Sequence, residues 1–189
     1  TGGYSSANIS LGNSLSLPAS SVYDGFIVKY DTSGLAQWYK TIPGTGSDQG
    51  NSVAVDSGGN VYVTGGYSST SIVPLGNSLN LPISNGGDGF IVKYDTSGLA
   101  QWYQTIPGTA SDNGYGIAVD SSGNVYVTGY YWSTSIVSLG NSLNLPISSI
   151  YDGFIVKYDT SGLAQWFQTI SGSSIDIGLG IAVDSSGNV

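Results

Sequence analysis

The chain has 189 residues with a formal net charge of −8; its charged residues are four Lys and twelve Asp, with no Arg, Glu, His, Cys or Met. This argues against nucleic acid and anionic membrane as partners. It also excludes disulfides, thiol chemistry, His-based catalytic triads and soft metal sites. No apolar run is long enough to span a bilayer as a helix. The abundance of Gly, Ser, Thr, Asn and Tyr in place of charge is common in secreted surface proteins, so an extracellular location is expected, although the lack of Cys suits either compartment.

In chain order, Thr1-Gly2-Gly3-Tyr4 opens inside a strand pattern. A connection follows, and then Asp24 to Tyr39 reads DGFIVKYDTSGLAQWY. The same letters return at Asp88 to Tyr103 and, with a final Phe, at Asp152 to Phe167, a period of 64. Self-similarity of this length is the first thing to interpret. Each copy predicts a hairpin: a β-branched and aromatic strand (FIVKY), an Asp-Thr-Ser-Gly turn and a return strand carrying Trp. Phe90, Ile91 and Val92 are apolar in succession, which predicts a strand covered on both faces, with a neighbouring repeat as each cover.

Between these hairpins, Gly116–Asp120 (GIAVD) and Val125–Gly129 (VYVTG) predict two further strands around the turn Asp120-Ser121-Ser122-Gly123-Asn124. GIAVD recurs at Gly180–Asp184. The reading is therefore all-β, with twelve principal strands in three tandem repeats of four antiparallel strands and no helix. The repeats run 1–63, 64–127 and 128–189, with the blades offset so that each starts near GIAVD. Within the long connection, Leu79-Asn80-Leu81-Pro82-Ile83 alternates, which predicts an extra edge segment that Pro82 keeps from pairing further.

GIAVDSSGNVYVTG, a connection with a Leu-Pro step, DGFIVKYDTSG and LAQW resemble the seven-bladed beta-propeller repeat family, SBBP. The resemblance extends over essentially the whole chain, three times. It implies a β-propeller in a large secreted or surface protein with no shared catalytic residue, and none is carried over. The departure is in number: three repeats, where propellers hold about 4–8 blades. The chain starts without Met, which suggests a removed or omitted leading segment. It stops inside the strand in which it starts, which suggests a window from a continuing array, or a ring or fibre closed through a shared strand.

Candidate chemistry is sparse. The Asp residues fall four per repeat at Asp24, Asp31, Asp48 and Asp56 and their equivalents, so paired carboxylates of the glycosidase kind lack the asymmetry an active site needs. Turn capping is the expected role. Asp56, Asp120 and Asp184 precede Gly-Asn turns that suggest calcium, but the EF-hand pattern is incomplete, and a looser carbonyl site is the remaining form of that reading. No other cofactor is expected. Trp38, Trp102 and Trp166 recur with the repeat and are expected to pack between blades. Tyr130-Tyr131-Trp132 replaces Gly66-Tyr67-Ser68 and is the candidate ligand-binding surface; the alternative is that it covers a neighbouring blade or loop. Asn8-Ile9-Ser10 is a lone glycosylation triplet. The expected function is a non-enzymatic structural or adhesive extracellular repeat protein, such as a surface-layer or filament component. Its expected partners are further copies or repeats of itself, or cell-surface polysaccharide. The alternative is a carbohydrate- or protein-binding propeller; a polysaccharide-acting enzyme is the third reading.

Overall fold

The computed structural model describes residues 1–189, all in strands, turns and connections. Each blade begins as a hairpin around a turn that its own side chains close. Asp95 Oδ1 accepts the Ser97 N–H, the Ser97 hydroxyl and the Leu99 N–H at 2.7–2.9 Å, and Gly98 takes φ of 82°. Gly supplies that conformation without a Cβ penalty. The flanking strands then pair in antiparallel register.

Three sheets result. The first contains β1 (Gly2–Tyr4), β4 (Asp24–Tyr30) and β5 (Ala36–Ile42), with two short strands, β2 (Ile9–Gly12) and β3 (Leu15–Leu17), in the connection. The second orders β6 (Gln49–Val55), β7 (Val61–Tyr67), β10 (Asp88–Tyr94) and β11 (Ala100–Ile106), with β8 (Val73–Gly76) and β9 (Leu79–Leu81) in its connection. The third repeats this with β12 (Asn113–Val119), β13 (Val125–Tyr131), β16 (Asp152–Tyr158) and β17 (Ala164–Ile170), and with β14 (Val137–Gly140) and β15 (Leu143–Leu145). Every neighbouring pair is antiparallel; β7 and β10, for example, run in register from Tyr67↔Asp88 to Val61↔Tyr94. The protein is all-β, built of propeller-like blades.

Two details differ from the sequence expectation. Eleven of the twelve principal strands form, because Gly180–Asp184 has no antiparallel partner beside it and carries no strand, although its turn closes through Gly187 N to Asp184 O at 3.0 Å. Leu79–Leu81 is not an added edge strand. It pairs with Val73–Gly76 in a separate two-stranded hairpin, and the Asn77 amide ties the hairpin tip to the Ala100 carbonyl at 2.8 Å. Asn77 and Ser78 both adopt positive φ (52° and 61°), which is the two-residue turn whose twist suits a hairpin.

The core lies between blades. One cluster of 12 buried residues takes Ile27 and Ile42 from the first blade and Val63, Phe90, Val92 and Tyr94 from the second. Another of 14 takes Tyr62, Ile91 and Ile106 from the second blade and Val127, Phe154 and Val156 from the third. Successive side chains of β10 thus enter opposite cores, as the unbroken Phe90-Ile91-Val92 run predicted.

Candidate functional site

The repeat-locked residues account for themselves structurally. Both oxygens of Asp120 are occupied: Oδ1 accepts the Ser122 and Asn124 N–H groups, and Oδ2 accepts the Asn124 amide and the Tyr126 hydroxyl, all at 2.8–3.0 Å. Burial opposes ionisation of Asp120, but these donors outweigh it and hold the carboxyl below its usual range. Asp31, Asp95 and Asp159 are lowered first by the hydroxyl two residues on, with backbone donors adding to it. Trp102 crosses a blade junction. Its Nε1 donates to the Thr160 carbonyl at 3.1 Å, Lys93 Nζ reaches the same oxygen at 3.4 Å, and Lys93 lies 5.2 Å from the Tyr62 ring centroid. Trp38, Lys29 and Thr96 make the same bonds one junction earlier.

The opposite ends of the sheets carry the long connections and a second class of aspartate. Asp112 is 2 % exposed. Its Oδ2 accepts the Gly108 N–H at 2.6 Å and its Oδ1 the Trp132 N–H at 2.8 Å, while its own N–H donates to the Gly87 carbonyl at 2.8 Å. One side chain thereby fixes an inter-blade loop and the backbone under Trp132. Burial outweighs these N–H bonds and, with the nearby Asp88 charge, pushes the Asp112 carboxyl up to about 7. Burial likewise pushes Asp48 and Asp88 up to about 6. The expected role, turn capping and hydrogen bonding to backbone N–H, thus takes two forms: Asp95 and Asp120 close tight turns, whereas the buried Asp48 and Asp112 accept backbone N–H groups from the inter-blade loop and from the start of the long connection. A sequence signal did exist: Asp88 opens an apolar strand directly, whereas Asp95 and Asp120 open Ser-Gly turns.

The three candidate residues separate. Alternation along β13 sends Tyr131 into the core, at 0 % exposure and in edge contact with Phe154 at 6.5 Å, so it is not available to a ligand. Burial and the Asp152 and Asp112 charges raise its hydroxyl to about 12. Tyr130 and Trp132 lie on the surface side. Both pack edge-on against Tyr151, at 4.8 and 5.3 Å between ring centroids, and Tyr115 approaches Tyr130 at 5.6 Å. Trp132 remains 37 % exposed. Tyr115 and Tyr151 were not anticipated. Tyr115 breaks the repeat, since Asn51 holds its place in the second blade, whereas the place of Tyr151 is held by Tyr23 in the first repeat and by Gly87 in the second.

Next to the aromatics is a polar cleft of about 180 Å³ on the second blade, with Gly66, Gly86 and Gly87 on one side and Gln49, Asp112 and Asn113 on the other. The equivalent position on the third blade is an apolar hollow of about 140 Å³, formed by Trp132, Ile150, Tyr151 and Ile175 with Ser149. Tyr130 stands between them: its hydroxyl hydrogen-bonds Ser111 of the cleft at 3.1 Å, and its ring packs on Tyr151 of the hollow.

Blades joined through their faces, with near-invariant turns at one end and variable connections at the other, define a tandem-repeat protein built of propeller-like blades. Two segments, 41–66 and 104–135, match the Beta-propeller repeat family, SBBP. These are the stretches that lead into and through the first two strands of a blade. The chain is 29 % identical over 193 residues to an uncharacterized WD repeat-containing protein, L264, of Acanthamoeba polyphaga mimivirus, covering 88 % of this chain and 14 % of that protein. It is 29 % identical over 143 residues to the regulatory protein FlaEY of Caulobacter vibrioides, covering 75 % of this chain and 15 % of that protein. The chain thus spans about a seventh of the length of these relatives.

Proposed function

We propose that this chain is a non-enzymatic adhesive repeat protein of the cell exterior, in which the blades form a structural scaffold and the long-connection face makes the contact. The observation that carries this is where the symmetry breaks. The Trp and Lys bonds across the junctions repeat from blade to blade, whereas Tyr115, Tyr130, Trp132 and Tyr151 gather at one place and lack counterparts as a set. Variable surface connections on a fixed scaffold are where recognition usually resides. A holding role is supported at the cleft, where both Asp112 oxygens are engaged by backbone N–H groups and no second acid lines the space. The neutral polar composition supports an extracellular setting such as a surface layer or filament. The partners that fit are further copies or repeats of the chain, or cell-surface polysaccharide. The likeness to the regulatory protein FlaEY favours a second reading, a repeat scaffold with a regulatory role.

The test pairs Tyr130→Gly with Trp132→Ser, and Asp31→Ser with Asp95→Ser, in chains coupled to beads. Adhesion of the beads to cells and to one another is scored. The first pair is expected to abolish adhesion and the second to lower stability only. Intact adhesion in the first pair, with loss in a still-folded second pair, overturns the reading.

A further inference from the structure

We propose that the polar cleft of the second blade and the aromatic hollow of the third form one site for a neutral oligosaccharide lying across the blade junction. This rests on the reading that the long-connection face makes the protein's contacts.

The two hollows occupy the same position on consecutive blades but have opposite chemistry. In the second blade, glycine at 66, 86 and 87 leaves space, and the side chains that face it are amides, hydroxyls and one carboxylate. In the third blade, Tyr130, Ile150 and Tyr151 take the places of those glycines, and Ile150 and Tyr151 line the hollow with carbon. A pyranose chain has this duality, with rims of hydroxyls that donate and accept, and ring faces of C–H groups. Gln49 offers both donor and acceptor capacity to the rim, and Asn113, whose Oδ1 already accepts from the Asn51 amide at 2.7 Å, adds an amide donor. The exposed Trp132 indole offers a flat apolar surface to a ring face.

Size and charge narrow the ligand class. Each hollow, at about 180 and 140 Å³, is below the roughly 300–1,000 Å³ of sites that enclose a drug-sized ligand. Each fits one ring of a chain that continues outside. No cation lines either hollow and the chain carries a net charge of −8, which selects against phosphorylated and uronic-acid sugars. The floor is preset, because Asp112 fixes the Trp132 backbone whether or not a ligand is present.

The other repeats supply variants that the fold already tolerates. Gly87→Tyr places in the cleft the residue found at Tyr23 and Tyr151, and a Cβ there meets no atom closer than 3.9 Å. Trp132→Ser restores the residue of Ser68. The full chain and both variants are tested on immobilised cello-, manno-, xylo- and galacto-oligosaccharides, with alginate oligomers and serum albumin as acidic and protein comparators. The expected result is millimolar or tighter binding to at least one neutral series and none to the comparators. At least a tenfold loss is expected in each variant, with an unchanged melting temperature. Failure to bind any neutral series, or equal binding of alginate or albumin, overturns the proposal, as does binding that neither variant weakens. If sugars fail while Trp132→Ser still abolishes bead adhesion, the saccharide assignment falls and the adhesive reading stands. If Trp132→Ser leaves adhesion intact as well, both fall.

Discussion

Trp102 and Gly114 show how single residues hold one blade to the next. Trp102→Phe keeps the ring stacked at the Tyr62 position but removes the donor to Thr160, so a loss of about 1 kcal/mol is expected from urea unfolding. Trp102→Ala also removes the packing, and a loss of about 3 kcal/mol is expected. Gly114 sits where β12 crosses the preceding blade, and a Cβ there would overlap the Thr64 hydroxyl, whose proton is committed to the Phe90 carbonyl at 2.8 Å. Gly114→Ala should therefore cost on the order of 1–3 kcal/mol through overpacking, and an unchanged urea midpoint would refute that close approach. The role of the tryptophans was legible from their repetition. The burial of Tyr131 was legible too, since Tyr4 and Tyr67 hold its place in the other repeats and only Tyr130 and Trp132 are new. Tyr151 was hidden because its partners on the third blade are about twenty residues away and more, a contact that only the strand register creates.

At the scale of elements, the connection hairpin was the feature least visible in the sequence. Leu-Gly-Asn-Ser-Leu does not carry the Asn-Gly pair that most strongly marks a two-residue turn, yet the same geometry forms at Asn13-Ser14, Asn77-Ser78 and Asn141-Ser142. The hairpin has only three pairs of flanking residues and depends on burying Val73, Leu75 and Leu81 and on the Asn77 bond to Ala100. Two substitutions should move its stability in opposite directions. Asn77→Ala removes both the bond and a residue tolerant of positive φ, and should cost about 1–2 kcal/mol. Ser78→Gly relieves the positive φ and should add several tenths of a kcal/mol, up to about 1. Urea midpoints of the two variants check the sign, and a Ser78→Gly variant less stable than the parent contradicts the turn assignment. The four-strand blades themselves were readable because their strands are rich in β-branched and aromatic residues and the hairpins close through Asp-x-x-Gly turns. Gly180–Asp184 has such residues without a partner, and a strand needs both.

For the molecule as a whole, the two classes of aspartate set opposite limits in pH. Asp48, Asp88 and Asp112 have folded pKa values raised from 3.8 to about 6, 6 and 7. Their contribution to stability is fully present below 3.8 and is lost as pH rises through 6–7. Turn aspartates such as Asp56, Asp120 and Asp159 have lowered folded values, so theirs is present above 3.8 and lost as pH falls below it. Stability should peak between about pH 4 and 6 and fall by a few kcal/mol by pH 8. Urea unfolding at pH 5 and pH 8 measures this, and Asp112→Asn should flatten the alkaline limb. Equal midpoints at the two values would show that the buried carboxylates carry no net penalty.

Because Trp38 and Trp102 each report on one junction, the chain contains its own pair of optical gauges. Trp38 senses the first junction through the Thr96 carbonyl, Trp102 senses the second through Thr160, and Trp166, stacked on Tyr126 and 36 % exposed, has no such carbonyl contact. With Trp132→Ser as background and two of the remaining indoles changed to Phe, emission from the third follows the opening of one seam alone. Strung-together blades coupled only to their neighbours are expected to part seam by seam. The order in which Trp38 and Trp102 shift to the red under denaturant would then trace the direction in which the array comes undone.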